Sequence, residues 1–107
     1  MLNKQDFINL LFNNEDNKKF EIKASNLVAY NRVDDIDVWN YNTCIAIVFP
    51  KINVMHLNVH YYSSTTQRNQ YKLIKRARRH NYTIISMNIG EVFEHDDASK
   101  KTLALYQ

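Results

Sequence analysis

The sequence predicts an α+β fold. It is expected to be a single domain over residues 1–107, with an antiparallel β-sheet of about four to five strands, an N-terminal helix and a basic amphipathic helix packed on the sheet. Two segments repeat their apolar residues with helical period, and several short segments alternate or are β-branched. The composition, 45% hydrophobic with one Gly and one Pro, is typical of a folded chain. A length of 107 residues suffices for one modest core.

The spacing of apolar residues in the N-terminal third of the chain predicts a helix followed by strands. Residues 6–12 place apolar side chains at helical spacing, and Asn3 is a suitable N-cap. Residues 19–24 alternate polar and apolar side chains, which predicts a strand, and residues 26–31 favour a second strand or an extension of the first. Asp34, Asp35 and Asp37, in the segment 34–37, predict a solvated acidic loop or an internal counter-charge to Arg32 or to the basic helix.

The middle of the chain predicts an antiparallel hairpin. The β-branched run at residues 44–49 suits a central strand, Pro50 breaks it, and residues 53–60 form the second strand. Its apolar face, expected to meet the core, carries Met55, Leu57 and Val59. Just before this hairpin, Trp39 and Tyr41 are interpreted as core or sheet-edge aromatics, with an exposed partner anchor as the alternative.

Residues 67–80 predict the main helix, with Asn81 as its terminator and a last strand at residues 82–89. Leu73, Ile74 and Ala77 fall on one side of this helix and predict its buried face. Basic residues dominate the other side.

Charge is strongly segregated along the chain. Residues 38–90 contain seven Lys/Arg and no acid, whereas the remaining residues contain seven Lys/Arg and all eleven acids. Six of the fourteen basic residues lie within residues 68–79. Such a field attracts anions much more strongly than the net charge of +3 indicates.

The predicted site is an anion- or partner-binding face on the basic helix. Its cations repeat every ~5–6 Å along the helix axis, similar to phosphate spacing, and each phosphate contact releases counterions. The capping hydroxyls ahead of the helix add donors at a helix N-terminus, and nearby tyrosines offer stacking surfaces. The residues of this predicted site are Arg68, Lys72, Lys75, Arg76, Arg79, Ser63, Thr65, Thr66, Tyr62 and Tyr71. The competing interpretation is an ordinary solvated helix face, but such faces normally mix charges of both signs.

Two short segments resemble a pattern of small bacteriophage accessory proteins, in which "T-x-I-A" in an apolar hairpin precedes "Y-S-x-T-T-x-R" and a basic helix. Residues 43–46 (TCIA) match the first part, and residues 62–68 (YSSTTQR) match the second. The resemblance, which covers roughly residues 39–80, implies a phage or mobile-element origin and an accessory role. Inhibitors of host defence, such as anti-CRISPR proteins, are prominent among phage accessory proteins of this size.

The sequence favours a non-enzymatic protein without cofactor or metal. Glu21 and Lys23 form an E-x-K half-motif of metal-dependent nucleases, but the nearest upstream Asp16 lies in a polar segment. His56 and His60 would be ~13 Å apart on one strand, too far to share a metal ion. A lone Cys44 cannot form an internal disulfide and fits a reducing cytoplasm.

The leading hypothesis is therefore a cytoplasmic protein that inhibits a host nucleic-acid-handling or defence complex by stoichiometric binding through the basic helix. Its partner would be a host protein or protein–nucleic-acid complex, with no membrane involved, and a homodimer is left open. Direct, weakly specific binding to DNA or RNA is the alternative, and a metal-dependent nuclease is the third hypothesis.

Overall fold

A computed structural model describes residues 3–12, 20–24, 26–32 and 34–87. Within this part, two helices and six strands follow one another along the chain. The helices are α1 (Lys4–Phe12) and α2 (Ser64–Arg79). The strands are β1 (Phe20–Ala24), β2 (Leu27–Asn31), β3 (Ile36–Asn40), β4 (Thr43–Phe49), β5 (Val54–Leu57) and β6 (Thr83–Ser86). The predicted α+β class is confirmed.

The strands form one sheet in chain order, β1-β2-β3-β4-β5-β6. Each neighbouring pair up to β5 is antiparallel because its connection is short. The β5–β6 pair is parallel, since α2 crosses between the two strands and returns the chain to the same end of the sheet. The sheet is thus larger and more mixed than the sequence predicts.

The additional strand is β3, which overlaps the predicted acidic loop at residues 34–37. Only Asp34 and Asp35 precede the strand, whereas Asp37 lies within it and is 7% exposed. Ile36 and Val38 alternate with Asp37, and both pack in the core. The loop prediction was wrong at Asp37 because the carboxylate masked a period-two pattern of buried apolar residues.

Both helices contribute to one apolar core that includes one face of the sheet. Each helix presents side chains at helical spacing, and β2 to β5 present alternate residues. The core residues of the described part are Phe7, Ile8, Leu11, Phe12, Leu27, Ala29, Ile36, Val38, Ile45, Ala46, Val48, Met55, Leu57, Val59, Leu73, Ile74 and Ala77. The predicted core faces of the hairpin and of α2 are both confirmed.

In the hairpin of β4 and β5, the second strand is shorter than the sequence predicts. This strand ends at Leu57, three residues before the predicted residue 60, and Asn58 just beyond it is buried. The Asn58 Nδ2 donates to the Cys44 carbonyl oxygen at 3.0 Å and to the Tyr62 hydroxyl at 2.8 Å. This amide therefore ties the start of β4 to the segment that leads into α2.

Candidate anion-binding face and cavity on helix α2

Helix α2 begins at a complete N-cap. The hydroxyl oxygen of Ser63, an extended residue, accepts from the Thr66 backbone N–H at 3.1 Å, and the same hydroxyl donates to Thr66 Oγ1 at 3.1 Å. At the other end, Asn81 has φ 59°, the left-handed conformation that a helix terminator requires. The predicted start and stop signals of α2 are confirmed, and the helix begins three residues before the predicted residue 67.

Five basic residues form what we call the cationic face of α2. Four of them are exposed and one, Arg76, is half-buried. The face consists of Arg68, Lys72, Lys75, Arg76 and Arg79. At about 100° per residue they lie within roughly one third of the helix circumference, opposite Leu73, Ile74 and Ala77.

None of the five residues of the cationic face forms an ion pair with a described carboxylate. Two ion pairs join described residues to one another: Arg32 to Asp37 (2.8 Å between Nη2 and Oδ2) and Lys51 to Asp34 (2.9 Å between Nζ and Oδ1). The first pair agrees with the predicted counter-charge for Arg32. Both pairs involve residues outside α2, so neither of them neutralises the positive charge of this helix.

Four members of the cationic face also line a cavity of about 110 Å³ between α1 and α2. The lining residues are Gln5, Ile8, Lys72, Lys75, Arg76 and Arg79. Aromatic contacts hold α1 against the end of α2: the Phe12 ring stacks on His80 at 5.7 Å between ring centroids and meets Tyr82 edge-on at 5.1 Å. The cavity is therefore bounded by two helices that pack on the same core.

The remaining predicted site residues lie around the face in different ways. Ser63 and Thr66 are engaged in the cap, and Thr66 is buried. Thr65 is half-buried and lies about one helical turn before Arg68, on the same side of α2. Their proposed part in anion binding stays a prediction.

The two predicted tyrosines differ in exposure. Tyr62 is 44% exposed, and its ring packs edge-on against His60 with 4.6 Å between centroids. Tyr71 is half-buried and packs against the core. Tyr62 is thus the more accessible of the two, although its hydroxyl already accepts from Asn58.

Sequence reasoning missed two buried amides on the inner side of α2. The Gln70 Nε2 donates to the carbonyl oxygens of Asn58 at 2.6 Å and His60 at 3.0 Å. The Asn69 Nδ2 donates to the side-chain oxygen of Asn40 and, at 3.4 Å, to that of Asn26. The sequence does contain a pattern that indicates their burial, because Asn69 and Gln70 continue the helical spacing of the buried apolar residues of α2.

The face of the sheet opposite α1 and α2 carries a second concavity. Trp39 is half-buried and Tyr41 is 68% exposed, and with Tyr30 and Arg32 they border a groove of about 350 Å³. Tyr41 stands at φ 54° in the β3–β4 turn, a conformation unfavourable for a bulky side chain. Trp39 is thus a partly covered sheet aromatic, whereas Tyr41 stands on the surface.

The catalytic and metal hypotheses receive no geometric support from the described residues. Among them, no three His, Cys, Asp or Glu side chains are grouped as a metal site requires. Burial, and secondarily the charge of Asp37, raises the pKa of the Cys44 thiol, which favours the poorly nucleophilic protonated form. Asp16 and the Glu21 side chain lie outside the described residues.

No protein-family model, curated protein sequence or solved structure matches this chain. Neither helix of the described part has the length and apolar character of a membrane span.

Proposed function

We propose that this protein is a non-enzymatic accessory protein of a phage or related element that inhibits a nucleic-acid-handling or defence complex of its bacterial host. It acts in the cytoplasm by stoichiometric binding, in the manner of anti-CRISPR proteins. The cationic face of α2 is the contact surface, and it binds an acidic surface of that complex or the nucleic acid that the complex holds.

One observation carries this proposal: five cations converge on one face of α2, and none of them forms an ion pair with a described carboxylate. Charges on a helix that is capped and packed on a core lose less conformational freedom on binding than charges on a loop. Uncompensated charge of one sign accelerates association with an oppositely charged surface and selects against partners of like charge. These properties suit a small protein that must bind an acidic surface or the nucleic acid of such a complex.

A matched pair of double variants tests the surface. Lys72→Gln with Lys75→Gln removes two charges from the cationic face, whereas Lys23→Gln with Lys51→Gln removes two exposed lysines elsewhere and leaves the same net charge. After capture from host lysate and identification, the partner complex is titrated with each protein while its activity is measured. The first variant should inhibit at least about tenfold more weakly, since each lost interface charge costs on the order of 1 kcal/mol or more.

The control variant should inhibit like the wild type, with inhibition saturating at a fixed molar ratio to the complex. Equal weakening by both variants would mean that net charge, and not the cationic face, determines binding. Inhibition that is complete at a small fraction of that ratio would indicate a catalytic activity and would refute the stoichiometric mechanism.

The second candidate function is direct binding of DNA or RNA, and the cavity lined by four cations favours it. Titration of labelled oligonucleotides at several salt concentrations tests it, with the logarithm of the affinity falling by about 0.7–0.9 per neutralised phosphate for each tenfold rise in salt. Absence of binding at low salt would exclude this candidate and leave a protein surface as the target.

A further inference from the structure

The cavity between α1 and α2 concentrates positive charge more than any other described part of the surface. Lys72, Lys75, Arg76 and Arg79 all line it, and no carboxylate does. These four residues span about 10 Å along the helix axis. Charges of one sign around a concavity with low-dielectric walls reinforce each other at its centre.

The lining has the chemistry of an oxyanion site. Arg76 and Arg79 each offer a planar fork of N–H donors, which matches the spacing of two oxygens on a phosphate group. Lys72 and Lys75 add point charges that can adapt to the remaining oxygens. Gln5 and Ile8 close the cavity from α1.

The size and charge of the cavity suit a phosphate group. A volume of about 110 Å³ is enough for one tetrahedral oxyanion. An internal phosphodiester carries a single negative charge. A terminal phosphate monoester carries roughly −1.5 to −2 charges near neutral pH, so four converging cations favour it over a phosphodiester.

We propose that this cavity binds the terminal phosphate monoester of a nucleic-acid strand, with Arg76 and Arg79 holding its oxygens. The inference rests on the proposed function, because both require the cationic face to be the binding surface. It adds a specific subsite to that face. The protein would thereby recognise strand ends, such as those that nucleases produce and process.

Oligonucleotides of one sequence that carry a 5′-phosphate, a 3′-phosphate or hydroxyls at both ends are the probes, and fluorescence anisotropy at fixed salt is the measurement. A phosphorylated end should raise the affinity roughly tenfold, the gain expected from new charge-assisted hydrogen bonds in a partly exposed site. Arg76→Gln and Arg79→Gln should abolish this preference.

Arg78→Gln is the matched control, because Arg78 is exposed, adjacent in sequence and absent from the cavity lining. It should lower the affinity for all three oligonucleotides by the same factor and preserve the preference. Thermal unfolding of each variant confirms that the fold is retained, and inorganic phosphate should compete with the phosphorylated probe.

Three outcomes would overturn the inference. Equal affinity for phosphorylated and hydroxyl-ended strands would leave a general polyanion-binding face without a terminal subsite. Binding of a phosphoserine peptide, sensitive to Arg79→Gln, without binding of any oligonucleotide would assign the cavity to a phosphoprotein. No binding of any phosphorylated probe would reject the cavity as a site, whereas inhibition through the cationic face could still be observed separately.

Discussion

The orientation of α2 depends on a buried amide, and its removal gives the sharpest test of the fold. Gln70 is 0% exposed, and its Nε2 joins α2 to the carbonyl oxygens of Asn58 and His60, at 2.6 and 3.0 Å. We expect Gln70→Met, which preserves the length of the side chain but has no donor, to destabilise the protein while leaving every cation in place.

The magnitude follows from the groups that lose a partner. Each buried carbonyl left without its donor costs about 1–3 kcal/mol. The substitution also removes the Gln70 Oε1, a buried oxygen that has no hydrogen-bond partner, and this returns on the order of 1–2 kcal/mol. The expected net loss in the free energy of unfolding is about 2 kcal/mol, equivalent to a fall in Tm of roughly 8–15 °C for a domain of this size.

Urea unfolding followed by circular dichroism measures this loss, with Gln67→Met as the control. Gln67 lies on the same helix and is half-buried, so the same substitution there should cost less than about 1 kcal/mol. If Gln70→Met unfolds within about 0.5 kcal/mol of the wild type, the amide does not hold α2 in place and the reasoning fails.

Three further changes have predictable effects on stability. Ser63→Ala removes the N-cap acceptor of α2 and should lower the free energy of unfolding by about 1 kcal/mol in urea titrations. Tyr41→Gly should raise it by up to about 1 kcal/mol, because Gly adopts a positive φ without steric cost, and thermal unfolding measures the gain. Burial raises the pKa of Asp37, against the lowering effect of Arg32 and with a smaller raising effect of Asp35. The folded state then binds the proton of the Asp37 carboxyl more tightly than the unfolded state does. The free energy of unfolding therefore falls as the pH rises from the ordinary pKa of Asp through the raised pKa of Asp37 in the folded state. Asp37→Asn should flatten that part of the pH profile and be at least as stable as wild type at neutral pH.

Each of these has an outcome that contradicts it. Ser63→Asp, which retains a capping oxygen, must be more stable than Ser63→Ala, or the cap is not the cause. A loss of stability in Tyr41→Gly would mean that the Tyr41 side chain contributes more than its backbone strain costs. A pronounced loss in Asp37→Asn at pH 7 would mean that the pair with Arg32 outweighs the burial of the charge.

The main features of the candidate site were predictable because they are local. Ser63 as a cap, Asn81 as a terminator and the buried side at Leu73, Ile74 and Ala77 all follow from spacing within one helix. The cationic face follows from the same periodicity, together with the absence of acids in residues 38–90.

What could not be predicted involves residues that are far apart in the chain. Strand β3 exists because its neighbours on both sides pair with it, and these contacts outweigh the low strand propensity of Asp37. The parallel pairing of β6 with β5 depends on where α2 packs. The cavity requires Gln5 and Ile8 to meet residues of α2 that lie more than sixty positions later in the chain.

Local patterns in the sequence therefore specify the class of the fold, the ends and faces of α2 and the sign of the charge that α2 presents. Hydrophobic period and capping chemistry act over one or two turns and are readable in any short window. Which cations converge on the cavity and which amides become buried depends on tertiary structure. The packing of α1, α2 and the sheet determines which residues lie next to Arg79 and Gln70. That packing depends on contacts between residues that are far apart in the sequence. The cationic face therefore lines a cavity only in the folded chain.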